Sequence, residues 1–162
     1  MKRNSWQEYQ KDIADDNYFY VRSCIRQNFF PGSVKAFLDI LRNDLGRDVY
    51  EEPQHTSCTG IGYHSDIVPM ETIMTVVARQ FSLMSDAGYE NMAASCITSF
   101  GIYTEMLATW EEYSETEGRT REYLYKATGR KFKKPENLAH TSDVIFHHRK
   151  KIAEMAKHKL VN

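Results

Sequence analysis

No run of about 18 consecutive apolar residues occurs anywhere in this chain, so no segment is long and greasy enough to span a membrane as a helix. A basic excess is missing too. Lys and Arg number 21 against 22 Asp and Glu, a formal net charge of −1, so nucleic acid is not an expected partner. The opening stretch MKRNSWQEYQKDIADDN is polar and acidic and lacks the apolar centre of a secretory signal, which leads us to expect a cytoplasmic protein. Cysteine is scarce, at three residues, and no CxxC pair occurs. That spacing disfavours a zinc knuckle and the short ferredoxin-type runs. An odd number of thiols without an export signal also argues against a disulfide framework. Internal repeats and low-complexity tracts are absent.

What is present suits one domain with a real core: 162 residues, 41% hydrophobic and 27% charged. Residues 1–17 read as an N-terminal helical extension around the amphipathic segment Trp6–Ile13, and residues 18–162 as a single α/β domain. Aromatic and β-branched Tyr18–Val21 predicts a strand running toward Cys24. Pro31-Gly-Ser33 opens a helix with Ser33 as cap and Val34, Phe37, Leu38 and Leu41 on its apolar face, closed by Gly46. Arg47–Glu52 predicts a second strand and Gln54–His64 a loop. Residues 66–86 predict a helix with Ile67, Met70, Ile73, Met74, Val77, Phe81 and Met84 inward. Tyr89–Ser95 predicts a third strand. Two helices follow, over 101–117 and 119–128, then a short strand at 138–140 and a terminal helix over 142–160. Alternating strands and helices imply a Rossmann-like, mostly parallel sheet with helices on both faces.

The cysteines stand in three comparable contexts: Val21-Arg-Ser-Cys24, Thr56-Ser-Cys58-Thr-Gly60 and Ser95-Cys96-Ile-Thr-Ser99-Phe-Gly101. Each follows a predicted strand, and ligands of open parallel sheets bind beyond the carboxyl ends of the strands. The bland alternative is that free cysteine is a small buried hydrophobe. Three turns aiming thiols at one edge favour a shared redox or metal site. Other features carry less. His147 and His148 are adjacent, and neighbours on a helix point about 100° apart, so they do not chelate together. With Arg149–Lys151 they read as a solvated face or a docking patch for an acidic partner. Gly60-Ile-Gly62 lacks the third glycine of a dinucleotide fingerprint and reads as turn chemistry. Met70, Met74 and Met84 read as core.

Order and spacing together resemble a known family, the cysteine-rich (CCG) domain found in the B subunit of heterodisulfide reductase. Its pattern is one Cys, a gap of thirty-odd residues, a Cys-Cys pair, a similar gap, then Cys-x-x-Cys. Here 33 residues separate Cys24 from Cys58 and 37 separate Cys58 from Cys96. Cys24 matches the first position, Cys58-Thr59 the pair and Cys96-Ile-Thr-Ser99 the last motif. Tyr18-Phe-Tyr before the first Cys, Pro31-Gly after it, Ala78-Arg79, Phe100-Gly101 and His140 extend the likeness from about Tyr18 to Ile152.

The resemblance implies a Rossmann-like domain, usually found in tandem, that binds a non-cubane 4Fe–4S cluster through five thiolates. Such clusters reduce disulfides or pass electrons beside a ferredoxin-like protein. This chain departs by having one such domain, and Thr59 and Ser99 where two thiolates would be. Iron–sulfur clusters favour soft thiolate over hydroxyl ligands. Three thiolates can hold a 3Fe–4S cluster, or a 4Fe–4S or 2Fe–2S cluster completed by Ser99, His55, His64 or an external ligand. Ser57, Thr59, Thr98, Ser99 and nearby N–H groups are candidate donors to sulfur. The leading expectation is an iron–sulfur redox protein, or an oxidoreductase subunit of a heterodisulfide-reductase-like complex, partnered by another redox subunit or by a second copy. The alternative is a cluster-free scaffold of a larger redox assembly. A thiol enzyme with a histidine base has no local Cys/His signature here. Trp6–Ile13 and the basic helix near Lys150 are the expected docking elements.

Overall fold

The computed structural model describes residue 13 and residues 17–56 and 58–159. The expected helix at Trp6–Ile13 therefore lies outside the described residues apart from Ile13, and so does Ser57. Among the described residues four strands, β1 (Tyr18–Val21), β2 (Val49–Glu51), β3 (Asn91–Ala94) and β4 (Asn137–His140), form one parallel sheet in the order β2-β1-β3-β4. Tyr18 pairs with Val49, and Phe19 with Met92.

Side chains alternate across the sheet, and the two faces build two cores. Phe19, Val21, Met92, Ala94 and Leu138 face one way. They pack against α4 (Met70–Asp86), α5 (Ile97–Glu112) and α6 (Ser114–Thr128). Tyr18, Tyr20, Val49, Ala93 and Ala139 face the other way. That layer holds α2 (Pro31–Asp39), α7 (Thr141–His147) and α8 (Arg149–Lys159). The α/β architecture with helices on both faces is thus as the sequence predicts. The direction in which strands are added switches between β1 and β3: the path from β1 leads to β2 over one face, and the path into β3 crosses the other. The crevice beyond the carboxyl ends of β1 and β3 is the place where such sheets bind ligands.

Several local expectations are corrected. Between Cys24 and Phe29 the chain forms a short helix, α1, because the Ser23 hydroxyl oxygen accepts the Arg26 N–H at 3.1 Å and caps it. The next helix starts at Pro31 itself; Ser33 lies inside it and donates to the Phe30 carbonyl. The predicted loop at 54–64 ends in a one-turn helix, α3 (Gly60–His64). The long helix begins at Met70 after Pro69, so Ile67 is left 73% exposed rather than in the core. Helix α5 starts right after Cys96, and Tyr113 separates it from α6 rather than packing inward. The terminal helix is two, broken at His148. Its second half belongs to the packed layer through Ile152 and Met155, with Arg149–Lys151 outward, so it is not a free appendage. No helix of the described residues is long and apolar enough to cross a membrane.

Candidate functional site

The three cysteines arrive on three different turns. Cys24 is the first residue of α1, exposed, directly after β1. Cys96 ends the β3 turn and caps α5. Cys58 is half-buried in the loop after β2. Cys24 and Cys96 thus flank the β1/β3 crevice, and Cys58 reaches it from beside β1.

The loop that carries Cys58 is held from below by α4. The buried Gln80 side chain donates to the Thr56 carbonyl at 3.2 Å and to its hydroxyl at 2.6 Å. Arg79 donates to the Gln54 carbonyl at 3.1 Å. Sequence reasoning misses both as groups that position this loop. Gln80 leaves a trace, as a polar residue on the apolar stripe with Val77 and Met84. At Cys58 the Gly60 N–H donates to the sulfur at 3.4 Å. Thr59 adopts a left-handed backbone, φ 61°, unusual for a β-branched residue. Its hydroxyl donates to the Cys58 carbonyl at 2.5 Å.

Gly60 lets this loop touch α5. A Cβ there would stand 2.4 Å from Thr98 Cγ2, 3.2 Å from the Cys58 sulfur and 3.6 Å from Ile102 Cγ1. Thr98 is β-branched and cannot swing away cheaply. Gly60→Ala is expected to cost about 1–3 kcal/mol by overpacking. Urea unfolding of the variant checks this; an unchanged midpoint would mean the loop does not press on α5.

Two adjoining clefts open at this edge. One, of about 150 Å³, is lined by Arg22, Cys24, His55, Cys58 and Ser99 among others. The other, of about 530 Å³, is lined by Arg26, Phe30, Cys96, Thr98 and His140 among others. Ser23 links them, since it caps the Cys24 helix and lines the Cys96 cleft. Burial pushes the Cys96 thiol up, but the Ser99 and Thr98 N–H groups and the Thr98 and Ser23 hydroxyls outweigh it and hold its pKa below the ordinary thiol value.

Of the other predicted site residues, Ser99 and His55 share the Cys24/Cys58 cleft. Burial, helped by the Arg22 and Arg79 charges, lowers the His55 pKa to about 4, against a weaker pull from Glu52. Its buried Nε2 has no hydrogen-bond partner among the described residues. Thr59 and His64 do not line either cleft; His64 is exposed and its ring meets Tyr63 edge-on at 5.3 Å. His140 closes β4, and its Nδ1 accepts the Ser142 N–H at 3.3 Å. His147 and His148 meet edge to face at 4.9 Å. Among the described residues no three His, Cys, Asp or Glu side chains converge on a single ion. The donors instead surround an extended space.

No protein-family model matches the chain. Over 92 residues it is 27% identical to the B subunit of the ferredoxin:CoB-CoM heterodisulfide reductase of Methanosarcina acetivorans, covering 57% of this chain and 29% of that one. Its fold is similar to that of a hypothetical protein from Helicobacter pylori, with a TM-score of 0.62 over 90% of this chain and 31% of that one, at 11% identity. The chain thus spans less than a third of the length of either.

Proposed function

We propose that this chain is an iron–sulfur redox domain of the heterodisulfide reductase kind, with Cys24, Cys58 and Cys96 as the cluster ligands. The observation that carries this reading is the delivery of three thiols, by three separate turns, to the carboxyl edge at the β1/β3 crevice. The likeness over 92 residues to one subunit of a heterodisulfide reductase supports the same redox class.

The donor set suits the group. Thiolates are the ligands that iron–sulfur clusters favour, and the surroundings of Cys96 favour its thiolate. Spread donors suit a polynuclear group better than one ion. His55 and Ser99 stand in the Cys24/Cys58 cleft as candidates to complete the set; His55 is neutral at ordinary pH, the form that can bind metal. Bound there, a cluster would supply one-electron chemistry. The chain's own part is to hold the thiolates, to donate N–H bonds to sulfur from Gly60, Thr98 and Ser99, and to limit water through burial.

A redox centre needs a second centre close by. Beside the site stand Phe29, Phe30 and Ile97, which are 74%, 62% and 68% exposed. This apolar rim supports work beside another redox subunit or a second copy of the chain. Anaerobic reconstitution with iron and sulfide tests the reading. Brown protein with stoichiometric iron and acid-labile sulfide and visible absorption is expected. Colourless, iron-free protein would leave the cluster-free scaffold in its place.

A further inference from the structure

Near the cleft, on α5, lies a buried tyrosine. Tyr103 is wholly buried, and its hydroxyl has no hydrogen-bond partner among the described residues. It stands on α5 one turn beyond Ser99, so the two share a face, and Ser99 opens into the Cys24/Cys58 cleft. Its ring packs edge-on against Phe81 at 5.4 Å. The neighbouring Ile102 and Thr98 are the side chains that press on the Gly60 turn beside the Cys58 sulfur.

A buried hydroxyl left unsatisfied costs stability, and native interiors rarely keep one without a use. The charges that reach this hydroxyl are those of Cys58 and Cys96. Burial first, and the Cys58 and Cys96 sulfurs next, push the phenol up, so it keeps its proton and can donate to an incoming anion. Neither thiol accepts from it in the structure. An acceptor atom brought in by whatever the thiols hold would satisfy it.

We propose that the Tyr103 hydroxyl is the buried donor to an inorganic sulfide of the group bound between Cys58 and Cys96, and so acts as a positioning and tuning residue for it. The proposal rests on the iron–sulfur reading above and adds a residue to which that reading assigns no role. A hydrogen bond to sulfur stabilises the reduced, more negative cluster, so its loss shifts the potential downward.

Tyr103→Phe keeps the ring and removes only the hydroxyl. Wild type, this variant and the exposed Tyr113→Phe are to be compared with and without reconstituted cluster. In the cluster-free protein Tyr103→Phe is expected to melt at or above the wild-type temperature, because no bond is lost. In the loaded protein its midpoint potential should shift negative, and a chelator should strip its iron about tenfold faster, the lower end of what outer-shell partners contribute. Tyr113→Phe should match wild type throughout. A lowered melting temperature of cluster-free Tyr103→Phe would mean the hydroxyl already serves a buried water, and would overturn the proposal. So would an unchanged potential and release rate. Wild type that takes up no iron would overturn both readings, and that outcome is distinct because it appears before any variant is compared.

Discussion

Cys58→Ala and Cys96→Ala are each expected to retain less than about a tenth of the wild-type iron and sulfide after reconstitution, since loss of a mere outer-shell partner already costs roughly 10–100-fold in metal affinity. Cys58 is half-buried and receives the Gly60 N–H, and Cys96 has its thiolate favoured by its surroundings, so water cannot readily replace either. Cys24 is exposed at the start of its helix. Cys24→Ala should therefore lose its iron too, but regain part of it when a small external thiol is supplied. The two hydroxyl residues should separate. Ser99 shares the cleft with Cys24 and Cys58, so Ser99→Cys should raise iron content or change the electron paramagnetic resonance signal. Thr59 turns its hydroxyl to the Cys58 carbonyl, so Thr59→Cys alone should leave both as they are. Iron and sulfide assays on the purified variants decide it; full iron content in Cys58→Ala would remove that residue from the ligand set.

The cluster-free protein should lose about 2–3 kcal/mol of stability as pH falls from 7 to 4, most of it through His55. The His55 pKa is about 4 in the folded chain against 6.5 as a free side chain. Above pH 6.5 neither state binds the proton and stability is full. Between 6.5 and about 4 the unfolded chain takes up a proton that the folded chain refuses, so stability falls with pH. Below about 4 both bind it and this loss stops. The depression comes mainly from burial, then from Arg22 and Arg79. Residual exposure of the ring trims the effect below the full shift at about 1.4 kcal/mol per pH unit. His140, also lowered by burial, adds in the same direction. Denaturant unfolding across this range, with His55→Gln as control, is the measurement. The variant should show a flatter profile between pH 6.5 and 4.5; an identical profile would place the acid sensitivity elsewhere.

Much of the fold was legible because it rests on local pattern. Tyr18–Val21 is a strand whichever way the chain goes on, being aromatic and β-branched. Ile73, Val77, Phe81 and Met84 recur at helical spacing and face the core as expected. The breaks were less legible. Nothing in helical periodicity marks the stop at Tyr113 or at His148, because both lie between stretches with good helix pattern, and tertiary packing chose the joint. Helix α1 was hidden for a similar reason: its six residues bury nothing, and only the Ser23 cap reveals it.

The sequence by itself determined the class of the fold and the placing of Cys24, Cys58 and Cys96 at the ends of elements, because periodicity and turn chemistry are properties of neighbouring residues. Only the tertiary structure decided what those thiols meet. Strand order put β1 beside β3, so Cys24 and Cys96 share a crevice although about seventy residues part them. It sorted His55 and Ser99 into the cleft and left His64 and Thr59 out, though all four are comparable in the chain. It also left the Tyr103 hydroxyl without a hydrogen-bond partner among the described residues and within electrostatic reach of Cys58 and Cys96, where the sequence offers just another aromatic residue on a helix. Such juxtapositions depend on contacts between segments far apart in the chain, and no local pattern records them.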